Sequence, residues 1–453
     1  MHARCLRTDR VPTTFASVLV LAGLQLCQAC AGGSAGPGGA AGTGGSVQSG
    51  GSGGAGPTSS GGTGGGSSQG SGGASVGTGG ASGATGGTGG AGEATGGAGG
   101  PGSGGTSAGG SGGGGSNVDA ASEAGAPPAN LPDPGSEGDG DFKVSDFTRQ
   151  PDLTDHGAPK GKTFQLSLPL AESKFYNGKE PTVTKGANPA RSITVYVPAQ
   201  YKDGTAAPVL VMQDGPGLGL VGVALDNLTI AMDPARRLPA FVAISVQNGG
   251  GDSVGSERGL EYDTVSDRYA RFIDAEVLPA VEANAGIKAA YPNFKLTKDP
   301  SGRGTYGCSS GGAAAFTMVW FRPDLFSRAI GYSATLVAQQ NSAQKADAAL
   351  YPHGAWDYHS DKEIIKNDTT GKEKATRFFI NANSNDNGAT AAETGRHNWL
   401  MANQRTAAAL KAKGFHYRFV EGIGAGHCAA PVKDGTLADA LIWLWRGYQP
   451  SGM

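Results

Sequence analysis

The chain reads as an α/β protein, a mostly parallel central sheet with helices on both faces, preceded by a segment too poor in apolar residues to fold. Three observations carry this reading. Continuously apolar runs such as Val209-Leu210-Val211-Met212 and residues 240–246 have the character of strands buried on both faces. Stretches of helical periodicity separate such runs; in 267–282, Tyr269, Phe272, Ile273, Val277 and Leu278 fall on one side. Strands that alternate with helices pair in parallel through crossovers, and polar loops then leave from the carboxyl ends of the strands, where ligands bind.

Composition divides the 453 residues into three parts. Residues 1–30 have the form of an export signal. Arg4, Arg7 and Arg10 make a basic start, and the apolar stretch 15–26 is too short to span a bilayer comfortably. Ala29-Cys30-Ala31 fits a small-residue cleavage pattern. Cys30, followed by Ala31-Gly32-Gly33, also fits the lipid-modified cysteine of a bacterial lipoprotein, although Cys27 stands where a lipobox has leucine. The expected location is therefore secreted, or the cell surface or outer membrane of a bacterium, with membrane contact only through a lipid on Cys30. Residues 31–141 are nearly all Gly, Ser, Ala and Thr, and lack the proline-rich Gly-x-y period of collagen. They cannot offset their ordering entropy and read as a disordered tether, with an r.m.s. reach of about 55–60 Å for a coil of about 110 residues. The folded domain is expected over 142–450. A net charge of −2 gives no basic field for nucleic acid. Neither a Cys-x-x-Cys pair in the folded part nor a His-Glu-x-x-His motif points to a metal, and no cofactor is expected.

Along the folded part, 163–168 alternates as a half-exposed strand, and 192–198 is a second strand ended by Pro198. The run 209–212 leads into Gln213-Asp214-Gly215-Pro216-Gly217. A helix is expected over 218–232 and a strand over 240–246. Residues 249–259 read as a glycine-rich loop, with Gly249-Gly250-Gly251 suggesting a mobile rim. Pro279 is expected to kink or shorten the 267–282 helix. Strands follow at 328–333, 377–381 and 415–420. The spacing predicts a helix over 399–413, stopped by Gly414, and a closing helix over 436–448.

The chemistry centres on Gly307-Cys308-Ser309-Ser310-Gly311, a Gly-x-Ser-x-Gly turn between strand and helix that presents a serine hydroxyl at the top of the sheet. A serine nucleophile needs a base, and the base needs an acid to hold its tautomer. His427 follows the last expected strand, downstream of the serine, as the α/β-hydrolase order Ser…Asp/Glu…His requires. His397, just before a helix, is the rival, with a capping or pocket-wall role as its plainer reading. The acid should lie between; Asp386 follows the 377–381 strand, although Asp in an Asn/Gly loop is ordinarily a turn former. Glu393 is the second candidate. Cys5, Cys27 and Cys30 belong to the leader, so Cys308 and Cys428 form an even pair in an exported domain. They adjoin Ser309 and His427, and would meet the geometric limit for a disulfide if those two residues touch. One oxyanion donor should be the N–H of Ser310. The other should come from the loop after Met212, where Pro216 has no N–H; of Asp214, Gly215 and Gly217, Gly215 is favoured.

These stretches resemble the enterochelin-esterase-like branch of the esterase D family, within the α/β-hydrolase fold. The resemblance rests on PDLTDHGAPKG at 151–161, ITVYVPAQY at 193–201, PVLVMQDG at 208–215, LEYDTVSDRYARF at 260–272 and GCSSGGAAAF at 307–316. RPDLF at 322–326, HNWLMANQ at 397–404 and the closing ALIWLWRGY belong to it as well. It implies Ser309 as nucleophile, His427 as base and Asp386 as acid. The Cys-Ser…Asp…His-Cys arrangement is similar instead to that of tannases and fungal-type feruloyl esterases. Their large lid domain has no counterpart here beyond the insertion 339–374.

The expected function is an exported serine carboxylic ester hydrolase working through an acyl-enzyme. Its substrates would be acylated carbohydrates, aryl (feruloyl-like) esters or siderophore-type esters, with water as second substrate. Two alternatives use the same fold: a non-catalytic surface binding module, and an acyltransferase with the same three residues. Loops 249–259, 339–374 and 389–399 would set the acyl and alcohol preference. No sequence rule reads that preference, or the oligomeric state.

Overall fold

The computed structural model describes residues 131–339 and 349–449. The expected export signal, Cys30 and the expected tether as far as residue 130 lie outside the described residues.

Among the described residues, nine strands form one sheet: β1 (Gly140–Val144), β2 (Lys162–Pro169), β3 (Ala190–Val197), β5 (Val209–Gln213), β6 (Val242–Val246), β8 (Arg303–Cys308), β9 (Arg328–Tyr332), β10 (Arg377–Asn385) and β11 (His416–Gly426). The spatial order is β1-β11-β10-β9-β8-β5-β6-β3-β2. All pairs are parallel except β2 with β3 and β3 with β6. Two further short strands, β4 (Ala206–Ala207) and β7 (Lys295–Leu296), pair only with each other. Side chains alternate between two cores, as the pleat requires. Val209, Val211 and Ile244 face one, and Leu210, Met212 and Ala243 the other.

Helices cover both faces. On the second face lie α1 (Val221–Leu228) and the C-terminal helix Ala430–Trp445, which contribute Val221, Leu225, Leu437, Leu441 and Trp443. On the first lie α2 (Glu257–Asp263), α3 (Arg268–Phe272), α4 (Leu278–Ala283), α5 (Ala285–Ala290), α6 (Ser310–Phe321) and α7 (Trp399–Lys413); the C-terminal helix is α8. Every residue of α6 is buried. Such a helix is apolar all round because it has no solvent face, and its start is the place where the sheet delivers Ser309.

Several elements differ from expectation for identifiable reasons. The helix expected over 218–232 is confined to Val221–Leu228. The 267–282 helix is broken by a π turn at Ile273–Val277, just ahead of Pro279. Proline lacks an N–H and its ring clashes with the carbonyl four residues back; widening the preceding turn relieves both problems. The glycine-rich loop ends where Ser256 caps α2, its hydroxyl accepting from the Gly259 N–H at 2.9 Å. The α7 bounds match the reading, with Asn398 accepting from Met401 N–H at its start and Gly414 left-handed (φ 77°) at its end. The closing helix starts at Ala430, earlier than 436, with Pro431 in its first turn.

The folded region also begins before residue 142. Strand β1 starts at Gly140 and pairs with β11. Arg377 donates to the carbonyl of Gly135 (3.0 Å), Trp443 Nε1 donates to Asp139 (3.1 Å), and His416 Nδ1 meets the other Asp139 oxygen (2.9 Å). This segment is held by polar contacts to buried partners, which hydrophobic periodicity does not register.

A buried charge group lies beneath the 249–256 loop. Arg191 donates to Glu261 at 2.5 Å and lies 3.7 Å from Glu257, while Glu180 pairs with Arg268 at 3.2 Å. Three carboxylates thus share two guanidinium groups. Burial, with the charges of Glu180 and Glu261, pushes the Glu257 carboxyl from near 4.5 up to about 8. The folded protein therefore holds a proton that the unfolded chain has lost between those values. This contribution to stability is complete below about pH 4.5 and disappears as pH rises through about 8. The Glu257→Gln variant should show a shallower fall in urea midpoint between pH 6 and pH 9 than the natural protein, roughly in that window. Parallel pH profiles for the two proteins would contradict this account.

Candidate active site

Ser309 occupies a sharp turn between β8 and α6, with φ 58° and ψ −130°. A non-glycine residue at positive φ is strained, by about 1–3 kcal/mol, and persists only where its surroundings enforce it. Here they do. The Ser309 N–H donates to the Tyr332 carbonyl at 3.0 Å, and its own carbonyl accepts from the N–H groups of Ala313 and Thr335, each at 3.0 Å. Gly307 permits the close approach: a Cβ there would stand 2.2 Å from the Gly311 carbonyl oxygen.

The ends of β10 and β11 bring two more groups to the serine. Ser309 Oγ lies 2.9 Å from His427 Nε2, and His427 Nδ1 lies 2.6 Å from Asp386 Oδ1. A carboxylate only accepts, so Nδ1 carries the hydrogen and Nε2 is left to accept from the serine. Asp386 is buried, and its two oxygens also accept from Ser333 Oγ (2.7 Å), Asn383 N–H (3.1 Å) and Asn387 N–H (2.9 Å). Burial alone would raise its carboxyl; the hydrogen bonds from His427 and Ser333 outweigh it and hold the group below the ordinary carboxylate value. Asp386 therefore stays ionised opposite the imidazole.

The sequence reading did not single out Ser333, Thr335 or Asn383. Ser333, at φ 43° just past β9, accepts from Cys428 N–H (3.0 Å) and Asn383 Nδ2 (3.3 Å) while donating to Asp386. Asn383 Nδ2 also donates to the Gly426 carbonyl at 2.6 Å. One hydroxyl thereby links the acid to the histidine loop. The only available signal was position, polar residues at the carboxyl ends of adjacent strands. Cys308 and Cys428 form a disulfide, with Cα atoms 6.1 Å apart and a sequence separation of 120. It ties the residue before Ser309 to the residue after His427.

Other candidates lie elsewhere. Glu393 pairs with Arg405 at 2.5 Å on an exposed surface, so Asp386 and not Glu393 meets His427. His397 is exposed and stacks on Trp399, with ring centroids 6.2 Å apart, outside the Ser309–His427 contact. Gly215 does not fit the oxyanion role expected of it. Its N–H donates to the Val246 carbonyl at 2.8 Å, because the loop after β5 continues the ladder with β6 by one more bond. The Asp214 N–H is likewise committed, to the Tyr262 hydroxyl at 3.1 Å. Ser310 starts α6, where unpaired amides and the helix dipole favour negative charge. Beside it, burial pushes the Asp263 carboxyl up to about 7, against the pull of Ser310 and Arg258. In the 353–361 segment, ligand atoms of His353, Asp357 and Asp361 lie within 4.8 Å of one another, but Asp361 already pairs with Arg396 at 2.9 Å.

Three comparisons bear on identity. Residues 185–427 match the model of a family described as "Putative esterase". No curated protein matches the chain. Among solved structures, a ferulic acid esterase is similar at 19% identity, over 64% of this chain and 99% of that one, with a TM-score of 0.43. Enterochelin esterase from Shigella flexneri is similar at 18% identity, over 65% and 60% of the two chains, with a TM-score of 0.41. A CE1 ferulic acid esterase from Anaeromyces mucronatus, in complex with ferulic acid, is similar at 11% identity, over 67% and 98%, with a TM-score of 0.41. The family match spans more than half of the chain; the protein belongs to that esterase family, has its α/β-hydrolase fold, and is a carboxylic ester hydrolase.

Proposed function

We propose that the protein is an exported serine esterase in which Ser309, His427 and Asp386 act as a catalytic triad through an acyl-enzyme. The observation that carries this reading is the unbroken contact from Ser309 Oγ through both ring nitrogens of His427 to a buried, ionised Asp386. His427 Nε2 takes the Ser309 proton as Oγ attacks the ester carbonyl carbon. Negative charge gathers on the carbonyl oxygen, where the N–H of Ser310 and the start of α6 favour it. His427 then gives the proton to the departing alkoxide. A water repeats the sequence on the acyl-enzyme, so water's hydroxyl goes to the acid and Ser309 regains its proton. Asp386 keeps the Nδ1–H tautomer throughout and stabilises the imidazolium.

The substrate classes in this proposal are acylated carbohydrates, aryl esters of the feruloyl kind and siderophore-type esters. The family membership supports an ester, and the basic, then apolar leader with Ala29-Cys30-Ala31 supports an extracellular or surface substrate. Transport and anchoring would be tested directly by labelling cells with a radioactive fatty acid. Label on the natural protein and its absence in Cys30→Ala indicates a lipid anchor; label on neither indicates free secretion.

Two variants test the triad. Hydrolysis of p-nitrophenyl acetate by Ser309→Ala should fall by about 10⁴-fold or more, and by Asp386→Asn to a similar degree, about 10⁴-fold, with KM little changed. Natural-level turnover in Ser309→Ala would remove the nucleophile assignment. The disulfide should matter for both stability and rate. The Cys308→Ala/Cys428→Ala variant should lose about 2–4 kcal/mol in urea unfolding, and its kcat should drop because serine turn and histidine loop are no longer joined. Unchanged stability together with unchanged kcat would show that the bridge has no role in holding the site.

A further inference from the structure

Ser309 Oγ has a second polar neighbour besides His427. The Thr335 hydroxyl lies 3.4 Å from it, and Trp399 Nε1 lies 3.3 Å from the same Thr335 oxygen. Chemistry sets the direction of these contacts. An indole N–H can only donate, so Thr335 Oγ1 accepts there and keeps its own hydrogen for Ser309 Oγ. At the far end the Asp386 carboxylate can only accept, which leaves His427 Nε2 to accept from Ser309. Trp399, Thr335, Ser309, His427 and Asp386 form one chain with every hydrogen pointing the same way. The geometry points to Thr335 as a second hydrogen-bond donor to the nucleophile oxygen, a catalytic residue additional to the triad, with Trp399 as the positioning residue that sets its hydroxyl. This inference rests on the esterase reading of Ser309 given above.

The parts are held in place independently of that chain. Thr335 is buried, and its N–H donates to the Ser309 carbonyl at 3.0 Å, so backbone and side chain both engage the same residue. Buried Asn403 donates through Nδ2 to the carbonyls of Ala334 (2.9 Å) and Trp399 (2.8 Å), tying the Thr335 loop to the first turn of α7. The Trp399 ring also meets His427 edge to face, with centroids 5.9 Å apart at 85°. One indole therefore orients the Thr335 hydroxyl and flanks the base.

The consequence is specific to the acylation step. As His427 removes the Ser309 proton, charge gathers on Oγ before its bond to the acyl carbon is complete. A hydroxyl 3.4 Å away is a weak donor to neutral Oγ; toward a charged acceptor the bond shortens and strengthens. Thr335 keeps its proton throughout. The Ser309 proton passes to His427 and then to the leaving alcohol, and the Oγ–acyl bond replaces the alkoxy–acyl bond. An interaction made chiefly in the transition state raises kcat rather than lowering KM.

The test measures p-nitrophenyl acetate turnover and the rate of inactivation by an organophosphonate ester in the natural protein, Thr335→Val, Thr335→Ser and Trp399→Phe. The expected result is a fall of about 10- to 100-fold in kcat and inactivation rate for Thr335→Val, with KM within about twofold. Thr335→Ser should recover most of the loss, and Trp399→Phe should fall between. Thr335→Val matching the natural protein in both assays overturns the inference. So does Thr335→Ser as slow as Thr335→Val, since the methyl group and not the hydroxyl would then matter. A natural protein that neither turns over nor is inactivated refutes the esterase reading itself, and this inference with it.

Discussion

The left-handed backbone at Ser309 is the constraint on which the site depends. A side chain at φ 58° costs free energy, about 1–3 kcal/mol, and must be enforced by what surrounds it. Strand β8 enters the turn and α6 leaves it almost at once, which is possible only because Gly307 has no side chain to meet the Gly311 carbonyl. The serine amide is bound to Tyr332, at the end of the neighbouring strand β9, and its carbonyl to Thr335 in the loop that follows. A disulfide from Cys308 to Cys428 adds a covalent tie to the histidine loop that follows β11. The hydroxyl is thus fixed from the backbone outward, independently of its contact with His427.

The parallel sheet then converges its carboxyl ends on this turn. Strands β8, β9, β10 and β11 are adjacent in the sheet and contribute Ser309, Ser333 with Thr335, Asp386 and His427 in that order across it. Ser333 is the junction: one hydroxyl donates to the acid and accepts from the backbone of Cys428 and from Asn383. The extension of β10 and β11 beyond the apolar core, with a register shift between Asn383 and Asn385, is what carries the acid and histidine to the serine. Packing holds the strands, and a small polar network past their ends sets the distances.

The outline of this arrangement was legible in the sequence because its strongest features are local. Gly307-Cys308-Ser309-Ser310-Gly311 announces a strand-to-helix turn, continuous apolar runs announce buried parallel strands, and Gly414 ends α7 where a left-handed residue is needed. Asp386 and His427 were legible through chain order and strand ends. What stayed hidden depends on tertiary partners. Nothing local shows that the Gly215 amide is taken by Val246, that residues 133–141 supply acceptors to Arg377, His416 and Trp443, or that Pro279 is accommodated by a π turn. Ser333, Thr335 and Asn383 are ordinary polar residues whose roles come from neighbours 26 to 95 positions away in the chain.

The most direct test of the central claim is to trap the intermediate. Turnover of an activated ester is quenched in acid within the first catalytic cycle, and the protein is digested and mapped by mass spectrometry. The account predicts an acyl group on the peptide that contains Ser309, lost in Ser309→Ala. An acyl group on another residue, or burst-free hydrolysis with no acylated peptide at any quench time, would contradict it.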